Sequence, residues 1–119
     1  MNGIRQTAAA MAYEESIAEQ IRRHLANDPR FVEKKMFGGV GFLLYGNMCV
    51  GVWKDQLIVR AGMPAWTELV QQPNVKEFDI TGRSMKGWLM VLPDGFDTDH
   101  QLEEWLQRGI EFTLTLPPK

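Results

Sequence analysis

Three short apolar runs, VGFLLY (40–45), MCVGVW (48–53) and QLIVRA (56–61), follow one another with only two residues between them. Each is rich in β-branched or aromatic side chains, which suit a pleated, half-buried strand. Two-residue connections join antiparallel neighbours, so the segment predicts a meander. Gly46-Asn47 makes a good hairpin turn, because glycine takes positive φ without steric cost. Lys54-Asp55 is less typical and predicts a turn that carries a bulge.

The flanking elements follow from periodicity and punctuation. Ile17, Ile21 and Leu25, with Ala18 beside them, share one face of a helix over 13–26. Glu14 and Glu15 open it and Arg22, Arg23 and His24 close it, as the helix dipole prefers. Asn27-Asp28-Pro29 ends it. Residues 31–37 read as a connecting segment or a short strand. Pro64 suits a first helical turn, Trp66, Leu69 and Val70 form a short apolar face, and Pro73 stops it. Residues 75–80 and 88–93 read as strands around a loop, TGRSMKG (81–87). Thr98 and Gln101 fit a capping box, and Leu102, Trp105, Leu106, Gly109, Ile110 and Thr113 then recur at helical spacing. The order α-βββ-α-ββ-α predicts an α+β fold. It consists of one antiparallel sheet, a meander plus a second strand pair, with helices at both termini and a short middle helix.

The chain has 119 residues and suits one domain, over 11–119, with residues 1–10 as a leader or extra N-terminus. Its single cysteine, Cys49, sits in an apolar run and reads as a buried, inert thiol. No apolar run approaches the ~20 residues of a membrane span, and the N-terminus lacks a secretory apolar core. The expected location is cytoplasmic, with no membrane partner. A formal net charge of -2 leaves no footprint for non-specific nucleic-acid binding, so direct DNA binding is not expected of this domain alone.

Motifs for chemistry are sparse. Gly39-Val40-Gly41 begins a dinucleotide fingerprint, but Leu44 stands where the third glycine belongs and a strand follows where a helix should. No Gly-Lys-Ser/Thr completes a phosphate loop. Two histidines, His24 and His100, and one cysteine give no metal-ligand spacing, and both histidines read as capping or solvated residues. Ser16 and Ser84 lie in no nucleophile motif. No cofactor, metal or catalytic residue is predicted, and the chain is expected not to be an enzyme.

One constellation remains. Lys34, Lys35, Arg60, Arg83 and Lys86 fall at strand ends or turns, beside Met36 and Met85. If the KKMFGG and GRSMKG turns lie side by side, their cations form a patch for a carboxylate, a phosphate or an acidic surface. Otherwise they are scattered surface charges. Met36, Met85 and Met90 with Trp53, Trp88 and Trp105 are either core packing or, where exposed together, a protein interface.

The stretches KKMFGGVGFLLYGNMCVGVWKDQLIVRAG, FDITGRSMKGWLMVLP and LEEWLQRGIEFTLTLPPK resemble the TfoX N-terminal domain family, also called the Sxy family, from about Tyr13 to the C-terminus. Met-Phe-Gly-Gly and Gly-Arg-x-Met-Lys-Gly-Trp are its most specific parts. The resemblance implies an α+β domain in bacterial transcription regulators of natural competence, which act with a cyclic-AMP-responsive activator and are not known as enzymes. Those regulators carry a second, C-terminal domain, so a chain ending at Lys119 is expected to be a stand-alone N-terminal domain. The implied partner is a protein, either the transcription machinery or a second copy in a homodimer. The alternative is a small anionic ligand or nucleotide held by the basic patch.

Overall fold

The computed structural model describes residues 13–79 and 82–119. The reading of residues 1–10 lies outside them, as do Ile80 at the end of the 75–80 strand and Thr81 at the start of the 81–87 loop. Helix α1 (Glu15–Leu25) leads into a sheet of β1 (Phe31–Met36), β2 (Gly39–Leu44), β3 (Asn47–Trp53) and β4 (Gln56–Arg60). Helix α2 (Ala65–Leu69), β5 (Val75–Glu77), β6 (Trp88–Val91), a 3-10 turn (Pro93–Phe96) and helix α3 (Asp99–Thr113) complete the chain. The strands pair antiparallel in the order β1-β2-β3-β4-β6-β5. The α+β class, the single sheet and the terminal helices are as the periodicities indicate.

The connecting segment is a full strand, β1, and it forms the sheet edge. Its register with β2 runs unbroken from Phe31↔Leu44 to Met36↔Gly39, so Phe37 and Gly38 alone make the turn, at φ 43° and 79°. Positive φ at both central residues gives the turn the twist that flanking strands need.

Two expectations about turns are corrected. The β2–β3 hairpin turns on Tyr45 and Gly46, at φ 51° and 85°, and Asn47 belongs to β3, paired with Leu44. Asn47 is buried and its amide donates to the Pro117 carbonyl, which holds it in the strand. The turn residue Tyr45 is held at both backbone groups: its N–H donates to Arg30 O and its C=O accepts from Lys119 N. The bulge lies in this hairpin too. Phe42 pairs with Val50 and Leu43 with Met48, so Cys49 is the extra residue. The Lys54-Asp55 turn carries none, since its register is constant from Trp53↔Gln56 to Val50↔Val59.

The three helices of the described residues pack on one face of the sheet. Val40, Phe42, Leu44, Val50, Val52, Leu57, Val59 and Val91 meet Ile17, Ala18 and Ile21 of α1 and Leu102 and Leu106 of α3. Each large side chain removed from water here contributes about 1.5–3 kcal/mol. Gly109 lets α3 approach β3 closely, since a Cβ there would lie 2.9 Å from Val50 Cγ1 and 3.2 Å from the Cys49 carbonyl. Trp66 and Leu69 of α2 pack with Ala61 and Leu89. The Thr98–Gln101 capping box forms in both directions. Arg22 joins α1 to β1 by gripping Glu33 and also pairs with Glu15. His24, at the end of α1, meets Asp99 at 3.0 Å in the first turn of α3.

No helix among the described residues is long and apolar enough to cross a membrane.

Candidate functional site

Among the described residues, no helix covers the opposite face of the sheet. Strand alternation and the register assign its side chains. Val32, Lys34 and Met36 of β1 lie opposite Leu43, Gly41 and Gly39 of β2, and Met48, Gly51 and Trp53 continue the face on β3. Ile58 and Arg60 of β4, Trp88 and Met90 of β6 and Lys76 of β5 complete it. Phe78, just beyond β5, closes over Ile58 and Met90, with Phe37, Met48, Trp53 and Trp88 packed around them. Toward β1 the face opens to solvent, and Val32 is 61% exposed.

The strand charges separate by face. Lys34, Arg60 and Lys76 lie on the helix-free side, whereas Glu33 and Glu77 pair with Phe42 and Leu89 and so lie on the helix side. Among the described residues, no Asp or Glu occupies a strand position on the helix-free face. A chain of slightly negative net charge thus presents a positive, methionine- and tryptophan-rich surface.

Phe37 of the first methionine-bearing turn meets Phe78 and, through it, Trp88, the aromatic residues on either side of the second. The Phe37 ring stands edge-on to Phe78, with centroids 6.4 Å apart, and Phe78 lies 5.8 Å from Trp88. The Met85 N–H donates to the Phe78 carbonyl, drawing the 82–87 loop against the same cluster. Met36 lies over Gly41 beside Met48.

Of the predicted binding residues, Arg60 and Lys86 line one cavity of about 150 Å³, with Gly62, Met63, Gly87, Trp88 and Phe112. Lys34 and Met36 share the helix-free face some strands away. Arg83 and Met85 are exposed on the loop. Lys35 falls on the other face, beside Val40. There it adds to the effect of Arg22, whose hydrogen bonds are the main reason that the Glu33 carboxyl lies below its usual range.

Arg60 is the most constrained of the cations. Its guanidinium lies 4.8 Å from the Trp88 ring and 5.9 Å from Phe112, and it donates to the Met48 carbonyl beside the bulge at 3.3 Å. No carboxylate pairs with it among the described residues. Desolvation lowers its proton affinity below the usual guanidinium value. Lys54 makes a similar contact, its ammonium 4.6 Å from the Trp53 ring. Sequence reasoning missed Phe112 and Lys76. Phe112 reads as one more residue of a helix until α3 is docked. Lys76 carries a signal in the alternation of β5, which places it opposite to Val75.

A cleft of about 640 Å³ lies elsewhere, between α2, the 3-10 turn and α3. Gln72, Asn74, Asp94, Glu104 and Arg108 line it, and its lining holds no His, Cys, Ser or Thr. No metal-binding group of three or more His, Cys, Asp or Glu occurs among the described residues. Cys49 is fully buried, and burial pushes its thiol up to about 11, so it has little thiolate for nucleophilic chemistry.

Comparison with curated proteins and with solved structures returns no match. The family model of the TfoX N-terminal domain matches residues 23–113, a span that includes every strand of the described residues and all of α3. The chain therefore belongs to the TfoX N-terminal domain family.

Proposed function

We propose that this chain is a non-enzymatic protein-interaction module serving transcription regulation in a bacterial cytoplasm, as its family resemblance implies, with competence as the implied process. Its docking surface is the helix-free face. The partner is a protein segment that combines acidic with apolar side chains. The observation that carries this reading is the separation of strand charge: Lys34, Arg60 and Lys76 border exposed or half-buried Val32, Met36, Met48 and Trp53, with no strand carboxylate among them. Methionine adapts to varied apolar partners, and the cations steer an acidic segment and fix its register. The edge of β1 is less suited to pairing with a second copy, because Glu33, Lys34 and Lys35 make it a charged edge.

The test is selection of peptides from an unbiased displayed library on the intact chain. Enriched sequences should interleave Asp or Glu with Leu, Phe or Trp, and Lys34→Glu should weaken them while leaving the fold intact. Enrichment without acidic residues, or binding indifferent to Lys34→Glu, overturns the reading.

A further inference from the structure

The Arg60 cavity lies where Arg60 and Trp88 of the helix-free face meet Phe112 of α3, and it can be tested without a partner on the rest of that face. Arg60 is half-buried, spends one observed hydrogen bond on Met48 O, and has no acidic partner among the described residues. A guanidinium carries five N–H donors in a rigid fork, so most remain free. The Trp88 and Phe112 rings flank its guanidinium at 4.8 and 5.9 Å, and Met63 and Lys86 complete the walls. A surface arginine without a carboxylate is common, but one half-buried beside two aromatic rings is pre-organised to receive an anion.

We infer that the Arg60–Lys86 cavity binds one carboxylate group, with the guanidinium fork as bidentate donor and the Lys86 ammonium as second cation. Size and polarity select the class. A cavity of about 150 Å³ admits a carboxylate with a short apolar stem and is too small to enclose a nucleotide. The apolar walls favour a weakly hydrated monoanion over a phosphate dianion, whose desolvation costs more. A planar carboxylate also matches the fork of Arg60 in its own plane. The carboxylate can come from a free organic acid or from an acidic side chain of a peptide.

The experiment titrates isotopically labelled full chain with sodium propionate, at constant ionic strength against sodium chloride. The readouts are the Arg60 Nε–H and Gly87 amide resonances. Propionate should shift both saturably, with half-saturation on the order of 10 mM for so few atoms. Lys86→Gln, at an exposed position, should weaken binding about fivefold without moving the unfolding temperature. Arg60→Gln should abolish the saturable shift, and its own unfolding curve shows whether the variant is folded. Acetyl-aspartate amide forms the second arm. Tighter binding than propionate assigns the group to a peptide side chain, and weaker binding assigns it to a free acid. Arg60 signals that stay still under both probes, or move equally with chloride, overturn the inference. Inorganic phosphate binding more than about tenfold tighter than propionate overturns the carboxylate class. None of these outcomes depends on whether peptides bind the helix-free face.

Discussion

Gly41 and Gly51 stand directly opposite each other across β2 and β3, and the thioether of Met48 lies on the pair. A Cβ on Gly51 would come within 2.8 Å of Met48 Cε and 2.7 Å of the Val40 carbonyl. A Cβ on Gly41 would meet Met36 Sδ at 2.9 Å. These glycines make room for methionines to lie flat on the helix-free face.

The neighbours that would have to move set the cost of filling that space. Gly51→Ala presses on backbone and should cost about 1–3 kcal/mol. Gly41→Ala meets only flexible thioether ends and should cost less. Gly39→Ala should be the most severe, at about 3 kcal/mol or more, because the Val52 carbonyl occupies the place of its Cβ. Urea unfolding of the three variants checks the order.

Cys49 predicts a loss of stability at alkaline pH. Its folded pKa is raised by burial from about 9 to about 11. The neutral thiol therefore contributes fully below pH 9, and the contribution is lost as pH rises through 11, because the unfolded thiol ionises first. The stability difference between the natural chain and Cys49→Ala should shrink across that window by an amount of order 2 kcal/mol. A difference independent of pH would contradict the buried assignment, as would rapid native-state reaction with a thiol reagent near pH 8.

Glu33 and Arg22 give the acid counterpart. Hydrogen bonds from Arg22 hold the Glu33 carboxyl below its usual range, so the pair stabilises at neutral pH and loses that effect as pH falls through the folded value. Both side chains are about a third exposed, at 36% and 34%, and solvent screens them. Glu33→Gln should then cost only about 0.5–1 kcal/mol at pH 7, and the difference should vanish in acid. Parallel unfolding curves across acidic pH give the measurement.

Thr98 accepts from the Gln101 N–H and the Gln101 side chain accepts from the Thr98 N–H, closing both groups at the start of α3. Thr98→Ala should cost about 1 kcal/mol. Amide exchange should quicken first at the start of α3 if the effect is local.

Elements with strong local signals were legible: the Ile17–Ile21 face of α1, the Thr98–Gln101 box and the three central strands. Residues 31–37 were harder, because Glu33, Lys34 and Lys35 break the apolar alternation that marks a buried strand. An edge strand tolerates such charge on both faces, and β1 becomes visible only through its pairing with β2. The turn at 45–46 was misplaced by one residue. Glycine-asparagine is a favourable turn pair locally, but Asn47 is buried by the C-terminal Pro117, far away in sequence, and the Cys49 bulge absorbs the shift.

The candidate site divides along the same line. Sequence alone selected Arg60 and Lys86, because cations beside turns stand out in a chain with few other chemical motifs. It also selected Lys35, which alternation turns toward the helices and Glu33. Local pattern determined the class of fold, the helix ends and the existence of the strands, since those depend on near neighbours. Tertiary structure alone decided which face the helices leave bare, and it set Trp88 and Phe112 around Arg60. Both outcomes rest on strand register and the docking of α3, where contacts join residues distant in the chain.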